Sequence, residues 1–212
     1  MLKCRMQYEK RGPSQYISHL DLMRCFRRAF MRADVMLSFS QGFNPHPHIS
    51  VPLPLPTGFA SRCELLDFDT EALPEDFLAR MARALPEGIV PLHVYQRTRG
   101  AGDIAGVRYT LTLHGENLDA EAVRALFAAP VMMVKRTKRG ESEVDLRDFI
   151  HSLDVQEAAD GCLLLYADLA AGEQSLNPEY LVRAVSERTP GTVAWTAYLR
   201  TAILDKNGEI FA

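Results

Sequence analysis

An α+β protein made of two ferredoxin-like βαββαβ halves packed together is the fold this sequence predicts, on three observations. The first is a clean alternation at the start, with Leu2, Cys4, Met6 and Tyr8 on one side of a strand and Lys3, Arg5, Gln7 and Glu9 on the other. The second is a switch of period from Ser18 to about Ala33, where Leu20, Met23, Phe26, Phe30 and Met31 mark an amphipathic helix. The third is a restart. After a polar, Gly-rich stretch at Arg99 to Gly106, the residues Val107, Tyr109, Leu111 and Leu113 again alternate with polar neighbours and a helix follows. The chain of 212 residues is long enough for two compact domains, placed at 1–98 and 107–212.

In the first half, Cys63 to Thr70 reads as a strand, Pro74 to Leu85 as a helix stopped by Pro86 and Gly88, and Ile89 to Gln96 as a strand. The segment from Val35 to Leu55 supplies the missing second strand. In the second half, Asp119 to Ala128 is a helix, and Val131 to Thr137 with Ser142 to Leu146 flank a hairpin turn at Gly140. An extra strand or short helix follows near Arg147 to Leu153. Leu163 to Asp168 is a strand and Asn177 with Pro178 opens a helix. Val193 to Leu204 is the last strand, with Val193, Trp195, Ala197, Leu199 and Ile203 on one face. Periodicity alone leaves the strand order open.

The composition, 47% apolar and 24% charged with 13 Gly and 12 Pro, is that of a globular protein and excludes collagen-like and disordered classes. Net charge is −3, but residues 1–62 hold nine Lys and Arg against three Asp and Glu. A site for a polyanion is therefore expected in the first third of the chain. The N-terminus has no continuous apolar run, so a cytoplasmic protein is expected. Val35 to Ser61 is uncharged but carries five prolines, and no membrane association is expected. Cys4, Cys25, Cys63 and Cys162 lack C-x-x-C spacing and read as reduced, buried thiols.

Three clusters are candidate binding residues. Ser18, His19 and Asp21 begin the basic helix. Ser18 and Asp21 fit a capping start, while the exposed N–H groups of that first turn offer an anion site beside His19 and Arg24. Arg24, Arg28 and Arg32 recur at i, i+4, i+8 as a phosphate-binding stripe or a solvated face. Gln41, Gly42, Phe43, Asn44, Pro45, His46 and His48 form a stiff, uncharged loop, either a recognition loop or a rigid connector, expected near the N-terminus of that helix. His46 and His48 flank a proline, but no metal is expected there. Lys135, Arg136, Lys138 and Arg139 make either a solvated hairpin turn, since such turns are commonly charged, or a basic finger reaching a phosphate backbone, expected on one positive face with the first third. Common nucleotide-binding, hydrolase and cluster-binding motifs are missing, and no cofactor is expected.

These motifs resemble a known family. Ile17-Ser-His-Leu-Asp21 with Arg24 and Arg28-Ala29, Ser40 to His48, Leu53 to Gly58, Ser61, Glu64 to Asp67 and Val144-Asp145-Leu-Arg147 are similar to the radical SAM-linked proteins, domain of unknown function 2344. Asn177-Pro178 and Arg200-Thr201 extend the resemblance over nearly the whole chain. It implies the free-standing form of a protein that accompanies a cobalamin-type radical SAM protein, and it assigns no catalytic residue. The expected function is an accessory module, rather than an enzyme, that binds RNA (tRNA or rRNA) and presents it to that partner. A stand-alone enzyme using His19, Asp21, His46 and His48 on a phosphate-bearing substrate, and a protein adaptor without nucleic acid, stay open as alternatives.

Overall fold

The computed structural model describes residues 1–137, 140–158 and 160–211, the side chains of 136 and 137 excepted. It divides into two compact α+β units, Met1–Ala101 and Gly102–Ala212.

Unit 1 runs β1 (Leu2–Lys10), α1 (His19–Arg32), β2 (Ile49–Ser50), β3 (Ala60–Thr70), α2 (Phe77–Ala84) and β4 (Ile89–Gln96). Its antiparallel pairings give the order β4-β1-β3-β2, in which α1 and α2 are the crossovers. Helix α1 starts because the Ser18 hydroxyl accepts the Asp21 N–H, and it buries Leu22, Phe26, Ala29 and Phe30 along one face. That face meets an aromatic column. Tyr8 packs edge-on against Phe26 at 5.1 Å, Phe30 tilts on Phe68 at 4.8 Å, and Phe68 stacks on Phe77 at 5.4 Å.

One expectation is corrected in this unit. The second strand is reduced to Ile49–Ser50, because the prolines of the preceding segment lack the N–H groups that a longer ladder needs. The polar side of β1 is not simply a solvated face. Arg5 is fully buried, with its Nε 2.6 Å and its Nη2 3.0 Å from the two carboxylate oxygens of Asp67, its partner across the β1–β3 ladder. Lys10 is buried as well, donating to the Gln15 and Ile17 carbonyls. Strand alternation says which side of a strand faces the apolar core. It does not say that the other side is wet.

Unit 2 runs β5 (Ile104–Glu116), α3 (Ala120–Ala128), β6 (Met132–Thr137), β7 (Gly140–Asp145), a 3-10 turn (Leu146–Phe149), β8 (Ile150–Glu157), β9 (Leu163–Ala170), α4 (Glu179–Arg188) and β10 (Thr192–Asp205). Its sheet order is β10-β5-β9-β8, again fourth-first-third-second and antiparallel throughout. The β6–β7 hairpin is an insertion that pairs with itself. Val107, Tyr109, Leu111 and Leu113 are buried as their alternation requires. The segment near Arg147 proves to be both a short helical turn and a strand, and β8 is the edge of the sheet.

The last strand departs from a single face. Register shifts between Val193 and Trp195 and between Arg200 and Ala202 turn parts of β10 over. Trp195 is therefore more than half exposed, and Arg200 is buried with its guanidinium donating to the Tyr109 hydroxyl at 3.0 and 3.1 Å. All four cysteines are free, and three of them are buried. No helix among the described residues is long and apolar enough to cross a membrane.

Removing one side of the buried pair while leaving the other should be costly. Asp67→Ala is expected to lower the unfolding free energy by about 3–5 kcal/mol in urea titration, since an uncompensated guanidinium remains inside. A loss below about 1 kcal/mol would mean that Arg5 finds water.

Candidate functional site

At the start of α1 the expected cap forms, with the return bond running from the Ser18 hydroxyl rather than its backbone N–H. Ser18 Oγ accepts the Asp21 N–H at 3.2 Å and donates to Asp21 Oδ2 at 2.8 Å, while Arg24 Nη1 bonds Asp21 Oδ1 at 2.8 Å. The Ser18 hydroxyl first, and then the Arg24 guanidinium, hold the Asp21 carboxyl below its ordinary range. This helix end thus already carries its own anion, which weakens it as a site for another. His19 is exposed beside it.

The arginine edge is not uniform. Arg24 is engaged by Asp21, and Arg32 donates to the Ala84 carbonyl. Arg28 is exposed and makes no ion pair or hydrogen bond among the described residues. The same holds for Arg27, which the i, i+4, i+8 reading passed over. On α1 the cations available to a ligand are therefore Arg27 and Arg28.

The loop is a short finger with tied arms. His48 N–H donates to the Ser38 carbonyl at 2.8 Å, and Ser40 N–H donates to the His46 carbonyl at 2.9 Å. His46 N–H returns to Ser40 Oγ at 3.0 Å. Gln41 to Pro45 form the tip, where Gly42 has φ 128°, a value that side-chain-bearing residues rarely adopt. Phe43 is fully exposed there, and Asn44, Pro45 and His46 are exposed too. The base of the finger is fixed on β3. Ser38 N–H donates to the Asp69 carbonyl, Asp69 N–H to the His48 carbonyl, and His48 Nδ1 shares a hydrogen bond of 3.2 Å with Asp69 Oδ2. Arg97 links Asp69 to Asp67, at 3.3 and 3.2 Å. His48 is thus an anchor, and His46 presents its ring to solvent.

The finger meets α1 along its second half rather than at its start. Phe30, Met31, Met36, Phe39 and Pro47 line a mostly apolar groove of about 570 Å³ whose charged residues are Arg27 and the exposed Asp34. Met31, Met36 and Phe39 are exposed around it.

In unit 2, Lys135 donates to the Ser175 carbonyl and lies over the Phe149 ring at 4.4 Å, so part of the basic hairpin is already bound. Lys138, Arg139 and the Arg136 side chain lie outside the described residues. Among the described residues, the one group of three or more His, Cys, Asp or Glu side chains with ligand atoms within 4.8 Å of one another is His114, Asp160 and Cys162. His19, Asp21, His46 and His48 are not brought together in this way. Sequence reading passed over the trio because His114 stands 46 residues before Asp160. The only local sign was the Asp-Gly-Cys turn.

Residues 3–178 match the model of a family described as an uncharacterized protein conserved in bacteria, DUF2344. The chain belongs to this family. No curated protein matches the sequence. Among solved structures, the crystal structure of a Cbf5-Nop10-Gar1 complex contains a chain similar at a TM-score of 0.51 and 10% identity, over 94% of this chain and 48% of that one. This chain spans about half the length of that protein, and the likeness is one of α+β fold alone. A crystal structure of an unknown protein from Galdieria sulphuraria is 13% identical over 94% of this chain and 98% of that one, at a TM-score of 0.27.

His48→Ala should leave the fold intact and loosen the finger. Hydrogen exchange is expected to accelerate at the amides of Ser40, His48 and Asp69, with core amides of β1 unchanged. Equal protection in the variant would show that the backbone ladder holds the finger without the imidazole.

Proposed function

We propose that the first unit of this family member is a binding module for single-stranded RNA, and that it presents the bound strand to a partner enzyme. The observation that carries this reading is the shared groove of Arg27 and the finger. Arg27 lines this groove together with Phe39 and Pro47 at the base of the finger, while Arg28 and the fully exposed Phe43 at the tip stand nearby in sequence and have no internal partner for their charge or ring among the described residues. Single-stranded RNA is held by that combination, since its phosphates need mobile cations and its unstacked bases need an aromatic face. In this reading Arg27 and Arg28 contact phosphates, Phe43 stacks on a base, and Asn44 and His46 offer hydrogen bonds to base edges. A cobalamin-type radical SAM protein is the partner class that the family resemblance suggests.

The apolar lining of the groove supports a second reading, an adaptor for a protein segment without nucleic acid. Met31, Met36 and Phe39 would then receive apolar side chains of the partner.

Binding of a labelled single-stranded RNA, followed by fluorescence anisotropy over a salt series, separates the two. Arg27→Ala with Arg28→Ala is expected to weaken binding and reduce the salt slope by about 1.4 units, about 0.7 for each lost single-strand phosphate contact. Phe43→Ala is expected to cost about 1–3 kcal/mol, fivefold or more in affinity, and to leave the slope unchanged. No binding at low salt, or an unaltered slope in the double variant, would overturn the RNA reading. Co-purification of the partner in nuclease-treated extract would then favour the adaptor.

A further inference from the structure

We propose that unit 2 carries a zinc site formed by His114, Asp160 and Cys162, independent of the RNA reading of unit 1. The strand register builds it. Leu113 and Leu163 are opposite one another in the β5–β9 ladder, so the next positions along it are His114 on β5 and Cys162, the residue just before β9. Both project from the sheet face opposite Leu113 and Leu163, because strand side chains alternate. Cys162 Sγ lies 2.8 Å from His114 Nδ1, and the ligand atoms of all three residues fall within 4.8 Å of one another.

Local structure then brings in the third ligand. Ala158 N–H donates to the Cys162 carbonyl at 2.9 Å, and Gly161 N–H donates to the Ala158 carbonyl at 3.1 Å. Gly161, at φ 77°, reverses the chain between Asp160 and Cys162. The Cys162 N–H reaches Asp160 Oδ1 at 3.3 Å, which holds the carboxylate beside the thiol. On the other side the ring of His114 is stacked on Trp195, its partner across the β5–β10 ladder, with centroids 3.6 Å apart and planes 10° from parallel. That stack fixes the direction in which Nδ1 points, a service that outer-shell contacts perform in metal sites.

The donor set selects the class of ion. One sulfur, one imidazole nitrogen and one carboxylate oxygen form a mixed set that suits zinc and is wrong for magnesium or calcium, which take oxygen. Zinc would lie about 2.3 Å from sulfur and 2.0–2.2 Å from nitrogen and oxygen. At a tetrahedral angle these lengths set sulfur and nitrogen roughly 3.5 Å apart, so the thiol and ring part by about 0.7 Å on loading, within reach of side-chain rotation. Three protein ligands leave the fourth position to water or a ligand. Asp160 is exposed and Trp195 more than half exposed, so that position opens toward solvent.

Titration of the metal-stripped full chain with cobalt(II), a spectroscopic substitute for zinc, tests the site. One equivalent should give the ultraviolet charge-transfer absorption of a thiolate–cobalt bond, and one equivalent of zinc should bleach it. Cys162→Ser should abolish the band, and His114→Ala and Asp160→Ala should each weaken binding tenfold or more. A folded wild type that gives no band, or a band retained in Cys162→Ser, would overturn the proposal. Should Cys162→Ser fail to fold, the other two variants decide, since each alters a side chain that solvent already reaches. Unchanged affinity in both would sink the site.

Discussion

The pairing of Arg5 with Asp67 is the constraint on which the rest of unit 1 depends. These residues face each other across β1 and β3, both buried, Arg5 completely. Two charges removed from solvent gain little net stability, because desolvation consumes most of their attraction. Their effect is on specificity. A one-residue slip of β3 would set Arg5 opposite Leu66 or Phe68, both core residues, and leave Asp67 without its fork. Arg97 completes the set by bridging Asp67 and Asp69, so two cations balance two anions at one place on the sheet.

The same cluster reaches the candidate site. Asp69 accepts from Arg97 on one side and bonds His48 on the other, while its backbone ties Ser38 and His48 to β3. The finger therefore stands on a register-locked strand, and its tip is held at a distance from its support by backbone hydrogen bonds, the Ser40 hydroxyl and prolines. Such a finger loses little conformational freedom when it meets a ligand, and preorganisation of this kind is a main source of affinity in small interfaces. The burial of Arg5 and Lys10 also revises the charge argument. Nine cations in the first 62 residues do not make nine surface charges, and on α1 the exposed set without an internal partner narrows to Arg27 and Arg28 once Asp21 and the Ala84 carbonyl have taken Arg24 and Arg32.

What was legible in the sequence was what short-range rules govern. The alternation at Leu2 to Lys10, the Ser18 cap with its apolar stripe, the helix from Asp119 to Ala128 and the strand at Ile89 to Gln96 all follow from contacts within a few residues. The missed features depend on strand partners. Nothing near Arg5 announces Asp67, sixty-two positions later. Strict alternation puts Trp195 on the apolar face, and the bulge that turns it outward leaves no mark in the apolar pattern. His114 looked like one more outward residue of β5, and its relation to Cys162 appears only when β9 is laid beside it.

The difference between the two histidine clusters follows from the same distinction. His46 and His48 are close in sequence and flank a proline, yet the ladder that stiffens their loop sends His48 back to Asp69 and leaves His46 in solvent. His114 and Cys162 are far apart in sequence, yet a ladder makes them neighbours and a stacked indole sets the ring. Proximity along the chain brings donor atoms together only where the backbone is free to fold around an ion, as in a turn such as Asp160-Gly161-Cys162. On paired strands it is register that brings donors together. A ligand set divided between one strand and one turn combines both routes, and neither half of it is a motif by itself.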